Sequence, residues 1–139
     1  MHKDNYENIF IQVMGSKTFT ILPPLEAPCV NEQHLISATY VDKGSKLEDN
    51  SAEWLLVPQI DKPRSTIPFP TWDPEFPSRR ASMFSAMARP MNVKLGEGDM
   101  LYLPALWYHK VSQECNSEGL CSSVNYWYAK FTAATLSNR

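Results

Sequence analysis

Cysteine is scarce in this 139-residue sequence: Cys29, Cys115 and Cys121 are the only three, and no two stand in CxxC spacing. An odd, unpatterned set excludes a disulfide framework and points to reduced thiols in an intracellular protein, cytoplasmic or nuclear. Positive charge is also short, with 13 Lys and Arg against 15 Asp and Glu and a net charge of -2. That balance argues against a nucleic-acid partner, which needs a surplus of cations on one face. No apolar run approaches the ~20 residues of a membrane helix, and no basic-then-apolar leader opens the sequence, so no membrane partner is expected. The five glycines make no phosphate-cradling loop, and GxSxG is absent. Peptidase chemistry finds no nucleophile–base set and no HExxH. What remains is 43% hydrophobic and 20% charged. Such a chain can bury a core, and residues 1–139 read as a single domain.

Eleven prolines and the lack of long helical patterns turn the reading towards β structure. Residues 8–14 and 17–22 are rich in β-branched and aromatic side chains and meet at Gly15 and Ser16, which predicts a hairpin. Residues 37–41 and 54–57 are candidate short strands. The stretch 58–77 holds six of the eleven prolines and is excluded from a central strand or a helix interior. Residues 78–89 are weakly helical. Further on, 91–95 and 99–103 flank a Gly-rich turn, and 107–112 and 122–128 are predicted to pair across a polar loop. Short strands in two blocks around an irregular Pro-rich insert suggest an all-β sandwich or jelly roll.

His2 and Asp4 are two apart on an extended segment, so imidazole and carboxylate point the same way. With one more imidazole they make a two-His-one-carboxylate face, which leaves metal positions open for substrate and oxygen. The tripeptide alone is weak evidence, since a solvated, frayed terminus also fits it. The third ligand is His34 or His109. His34 sits in a polar stretch that reads as surface loop, whereas His109 lies in an aromatic, β-prone run and is the better candidate. Lys17 opens the second run and offers a localised cation to an anion, or is simply an exposed lysine. Asn125 shares a strand face with Ser123 and Trp127, where an inward amide needs a polar partner. Glu97 and Asp99 belong to the Gly-rich turn and read as structural. Cys115 and Cys121 lack zinc-site spacing.

Four stretches carry a resemblance in order: His2, Lys3, Asp4 through Asn8; Lys17, thirteen residues after Asp4, through Pro23 and Pro24; GEGDMLYLPALWYH ending at His109; and VNYWY around Asn125. Together they resemble the JmjC-domain (cupin-like) oxygenases that depend on Fe(II) and 2-oxoglutarate, and within them the lysyl-hydroxylase branch. The resemblance implies a double-stranded β-helix and a dioxygenase that uses O2 to hydroxylate a side chain, lysine above all, of a protein or peptide substrate. It implies His2, Asp4 and His109 as iron ligands and Lys17 as the partner of the distal 2-oxoglutarate carboxylate. Asn8 and Asn125 match polar residues of the co-substrate pocket. Asn125 stands one residue further from the distal histidine than in the family's asparaginyl hydroxylases. In the family two core strands precede the HxD, so about six of eight core strands are expected here, in a partial domain of low stability and little activity. A non-catalytic fragment that retains the metal motif, and a generic metal-binding jelly roll, are the rival readings. The oligomeric state stays open between monomer and homodimer.

Overall fold

The computed structural model describes residues 1–44 and 55–129. Among them run eleven strands: β1 (His2–Lys3), β2 (Tyr6–Met14), β3 (Ser16–Leu22), β4 (Glu32–Ile36), β5 (Ala38–Asp42), β6 (Leu56–Ile60), β7 (Thr66–Pro70), β8 (Met91–Leu95), β9 (Met100–Leu103), β10 (Tyr108–Glu114) and β11 (Ser122–Ala129). The helical content of the described residues is two short 3-10 helices, Pro24–Cys29 and Ser85–Met87. The weak helical pattern of 78–89 thus condenses to a single turn. The described residues fall into two compact units, one within Met1–Glu32 and Pro70–Arg139, the other within Gln33–Phe69.

The first unit holds a four-stranded sheet, β1-β10-β3-β8, and a three-stranded sheet, β11-β2-β9. All neighbours within them are antiparallel. Alternation decides what goes inside. In β2, Asn8, Phe10 and Gln12 are buried, and in β3 Phe19 and Ile21 are buried while Thr20 bonds Asn92 on the exposed face. Phe10 and Leu103 of one sheet pack with Phe19, Ile21 and Leu95 of the other, and the Phe10 and Phe19 rings meet edge to face at 4.9 Å. Burying each such side chain contributes about 1.5–3 kcal/mol. A second cluster joins Leu22, Val30, Trp72 and Tyr108. Two antiparallel sheets packed face to face on a shared apolar cluster make this unit an all-β jelly roll.

The pairing of neighbouring strands differs from the sequence expectation. Residues 8–14 and 17–22 do form consecutive strands, β2 and β3, but they belong to different sheets and make no hairpin. Gly15 is a corner at which the chain passes from one sheet to the other, with φ at +72°. A Cβ there would lie 2.6 Å from the Glu114 carbonyl oxygen and 2.9 Å from that of Leu120, so the close approach of the β10–β11 connection requires glycine. The expected pair 107–112 and 122–128 is likewise split: β10 pairs with β3 and β11 with β2. The Gly-rich turn between β8 and β9 makes a third such crossing. Short apolar strands with tight turns fit a hairpin and a sheet-to-sheet corner equally well, and long-range packing selects the corner. Beside the six expected core strands the structure adds β1.

In the second unit β4 pairs with β7 and β5 with β6, as separate two-stranded ribbons. Every strand of such a ribbon is an edge, so Pro58, Pro68 and Pro70 are tolerated. The predicted strand 37–41 corresponds to β5. Of the predicted strand 54–57, residue 54 lies outside the described residues and the remainder leads into β6. His34, expected on a loop, lies in strand β4, where it is exposed.

Candidate metal centre

Strand β1 is two residues long and lies at the edge of its sheet, paired only with β10. Its register sets His2 directly opposite His109, and the two rings stand 4.1 Å apart at 61°. Asp4 follows two residues on, and its Oδ2 lies 3.9 Å from His2 Nε2 and 3.6 Å from His109 Nε2. One donor atom from each residue falls within 4.8 Å of the others. These separations exceed hydrogen-bond length, so the three donors converge on a common point instead of being consumed by one another.

The electronic state of His109 suits ligation. Its Nδ1 stands 3.1 Å from the Trp107 carbonyl oxygen, which can only accept, so Nδ1 carries the proton and Nε2 presents its lone pair to the cluster. Burial pushes the His109 pKa below the ordinary imidazole value; the Trp107 carbonyl and Asp4 oppose that shift and His2 reinforces it, and the ring stays neutral. The loop before it is fixed from two sides. Leu106 N donates to the Asp4 carbonyl at 2.7 Å, and Ala105 N donates to Glu7 Oε2 at 3.1 Å. Tyr102 also donates to Glu7, at 2.6 Å, and that bond pushes the phenol pKa up to about 12. Two imidazoles and one carboxylate brought together in this way fit a divalent transition metal, with coordination positions left open.

The same donors line a cavity of about 260 Å³ that also holds Asn8, Lys17 and Asn125. The six residues that the resemblance assigns to the site therefore line one cavity. Phe10, Phe19, Leu103, Val111 and Trp127 complete the wall. Lys17 lies on the inner face of β3, donates to Ser123 Oγ at 2.9 Å and stands 5.1 Å from the centre of the Phe10 ring. Among the described residues no carboxylate pairs with it, so a cation is held against an apolar wall, an arrangement that suits an incoming anion. Asn8 is only 6% exposed, and its Oδ1 is buried without a hydrogen-bond partner. A buried amide left so is satisfied by a polar occupant of the cavity. Asn125 lines the cavity from β11 but is exposed.

His34 belongs to the other unit and takes no part in this cluster. Glu97 and Asp99 accept backbone N–H bonds from Gly15 and Gly96, both at 2.8 Å, and are structural. Sequence reasoning missed two contributors. Ser123, whose alternation with Asn125 was the available signal, holds the Lys17 ammonium. The Trp107 carbonyl sets the His109 tautomer, and a backbone atom leaves no mark in side-chain identity.

Comparison with known proteins points the same way. A family model described as a cupin-like domain matches residues 1–134. The chain is 35% identical over 136 residues to JmjC domain-containing protein E of Dictyostelium discoideum, covering 92% of this chain and 38% of that protein. It is 33% identical over 134 residues to the lysine-specific demethylase JMJ32 of Arabidopsis thaliana, covering 91% and 37%. To the human bifunctional peptidase and (3S)-lysyl hydroxylase JMJD7 it is 34% identical over 131 residues, covering 92% and 37%. The chain thus spans less than two fifths of the length of these curated relatives.

Proposed function

The chain belongs to the cupin-like family in which these JmjC-domain proteins fall, and from that premise we propose that it is an Fe(II)- and 2-oxoglutarate-dependent oxygenase domain that hydroxylates a protein side chain. The observation that carries this reading is the meeting of His2, Asp4 and His109 with Lys17, which pairs with no carboxylate among the described residues, in one cavity. A metal site alone would not need the lysine. An anion site alone would not need the three donors.

When bound, Fe(II) with 2-oxoglutarate supplies the coupling of O2 reduction and decarboxylation, to succinate and CO2, with insertion of one oxygen atom into a substrate C–H bond. The chain's own residues do the rest. His2, Asp4 and His109 would hold the ion, with positions left open for the co-substrate and O2. Lys17 binds the distal carboxylate of 2-oxoglutarate, with Ser123 fixing the ammonium, while Asn8 and Asn125 orient the remaining polar atoms. Phe10, Phe19 and Leu103 exclude water from the inner end of the cavity. The substrate proposed is a lysine side chain of a protein, in line with the activity named for the human relative. An intracellular setting, cytoplasmic or nuclear, is proposed from the three cysteines, all of them free.

The test is succinate release from 2-oxoglutarate by the Fe(II)-loaded chain, with a lysine-rich protein fraction and mass spectrometry for a gain of one oxygen atom on lysine. Succinate formation that disappears in Asp4→Ala supports the reading. Binding of metal and 2-oxoglutarate without succinate or substrate oxidation would instead favour a non-catalytic binding module.

A further inference from the structure

Strand β1 carries one metal ligand and leads directly into a second, yet only two register pairs with β10 hold it, His2 with His109 and Lys3 with Tyr108. So short a ladder by itself fixes the strand's rotation weakly, and a rotation of β1 would swing His2 and Asp4 together. The residue between those ligands is Lys3. Its side chain points to the opposite face of the sheet, as does that of Tyr108 next to His109. There the Lys3 ammonium lies 2.5 Å from a Glu32 carboxylate oxygen and donates to the Tyr108 hydroxyl at 3.2 Å, and that hydroxyl donates to the same carboxylate oxygen at 2.9 Å. The ammonium also stands 5.0 Å from the centre of the Tyr108 ring. The triangle is closed, and it is largely shielded: the Lys3 and Glu32 side chains are 22% and 23% exposed, and Tyr108 is 1% exposed within the cluster of Leu22, Val30 and Trp72.

We propose that Lys3, Glu32 and Tyr108 form a positioning clamp that orients the metal-ligand set from the reverse face of the sheet. The inference rests on the metal-centre reading above. Each member has a geometric task. Tyr108 is immobilised by the core and supplies the fixed point. Glu32 draws the Lys3 ammonium down onto that point. Holding the Lys3 side chain fixes the rotation of β1 about its own axis, which aims His2 and Asp4 at His109 on the other face. None of the three touches the ion, and each acts through the ligand beside it, as outer-shell partners of metal ligands do.

The experiment measures Mn(II) binding by isothermal titration, well below the melting temperature, for the unsubstituted chain, Lys3→Met, Glu32→Gln, the double variant and Lys3→Arg, beside a metal-free thermal melt of each. Lys3→Met should weaken Mn(II) binding about 10- to 100-fold, and Glu32→Gln towards the lower end of that range. The double variant should be no weaker than Lys3→Met, because the residues act as one unit. Lys3→Arg, which keeps the cation, should restore most of the affinity. Glu32→Gln preserves side-chain shape and carries the test should Lys3→Met lose its cooperative melt. A contact that merely props up the fold would lower the melting temperature and leave Mn(II) affinity unchanged, and that result overturns the clamp alone. Failure of the unsubstituted chain to bind Mn(II) would overturn the metal-centre reading and the clamp with it.

Discussion

At the scale of single residues, the proposed function gives the metal to His109 and the anion to Lys17. His109→Ala removes a buried donor whose tautomer is already set, so Mn(II) affinity should fall at least 100-fold by calorimetry; equal affinity would exclude His109 from the site. The pH dependence of stability follows from the same ring. Its pKa in the folded chain is depressed by burial, so the unfolded chain takes up the proton first as acidity rises. The stability it contributes is present above the unfolded value of about 6.5 and is lost as pH falls from there through the lower folded pKa. Melts of the metal-free chain should therefore decline over that window, and His109→Asn should flatten the decline. Lys17→Ala removes a charge-assisted bond of about 1.5–3 kcal/mol, so 2-oxoglutarate binding should weaken roughly 10- to 100-fold. Metal affinity should survive, because the Lys17 ammonium engages Ser123 and the Phe10 ring rather than the ligand set.

At the scale of elements, the corner at Gly15 decides more than any strand. Any other residue there meets both a left-handed φ of +72° and two carbonyl oxygens inside 3 Å. Gly15→Ala should cost more than about 2 kcal/mol, since left-handed strain alone is about 1–2. Gly98 has a similar φ, +86°, but nothing within 4 Å of a Cβ, so Gly98→Ala should cost only the strain. Urea denaturation of the two variants separates the effects, and equal costs would mean that the Glu114 and Leu120 carbonyls yield. The two glycines look alike in the sequence, each standing between two strand-forming runs and followed by a polar residue. Only the approach of a distant connection tells them apart.

At the scale of the molecule, the two sheets are held together by a small core in which Phe10 and Phe19 are the largest side chains. Phe19 is 2% exposed, and Phe19→Ala should cost about 3–5 kcal/mol, a large fraction of the roughly 5–15 kcal/mol typical of a domain. The site should fail with the fold, because Phe10 and Phe19 also wall the cavity; loss of the cooperative urea transition together with Mn(II) binding is the expected result. Much of this was legible in advance. The strand positions 8–14, 17–22, 91–95 and 99–103 follow from runs of β-branched and aromatic residues, and which side chains turn inward follows from alternation, a property of neighbours in the chain. His2, Asp4 and His109 were legible as a candidate ligand set from residue type and spacing, and Lys17 joined them through the resemblance of order and spacing. Strand partners were not legible: the hairpin expected at Gly15 and the pair expected between 107–112 and 122–128 are both corners between sheets. Alternation and strand-forming preference are local, so the sequence by itself determined where strands lie and which faces are apolar. Pairing and register are contacts between residues far apart in the chain, such as His2 with His109, and are chosen by which packing buries the apolar faces of both sheets at once. Only the tertiary structure could decide that, and with it the place where the six site residues meet.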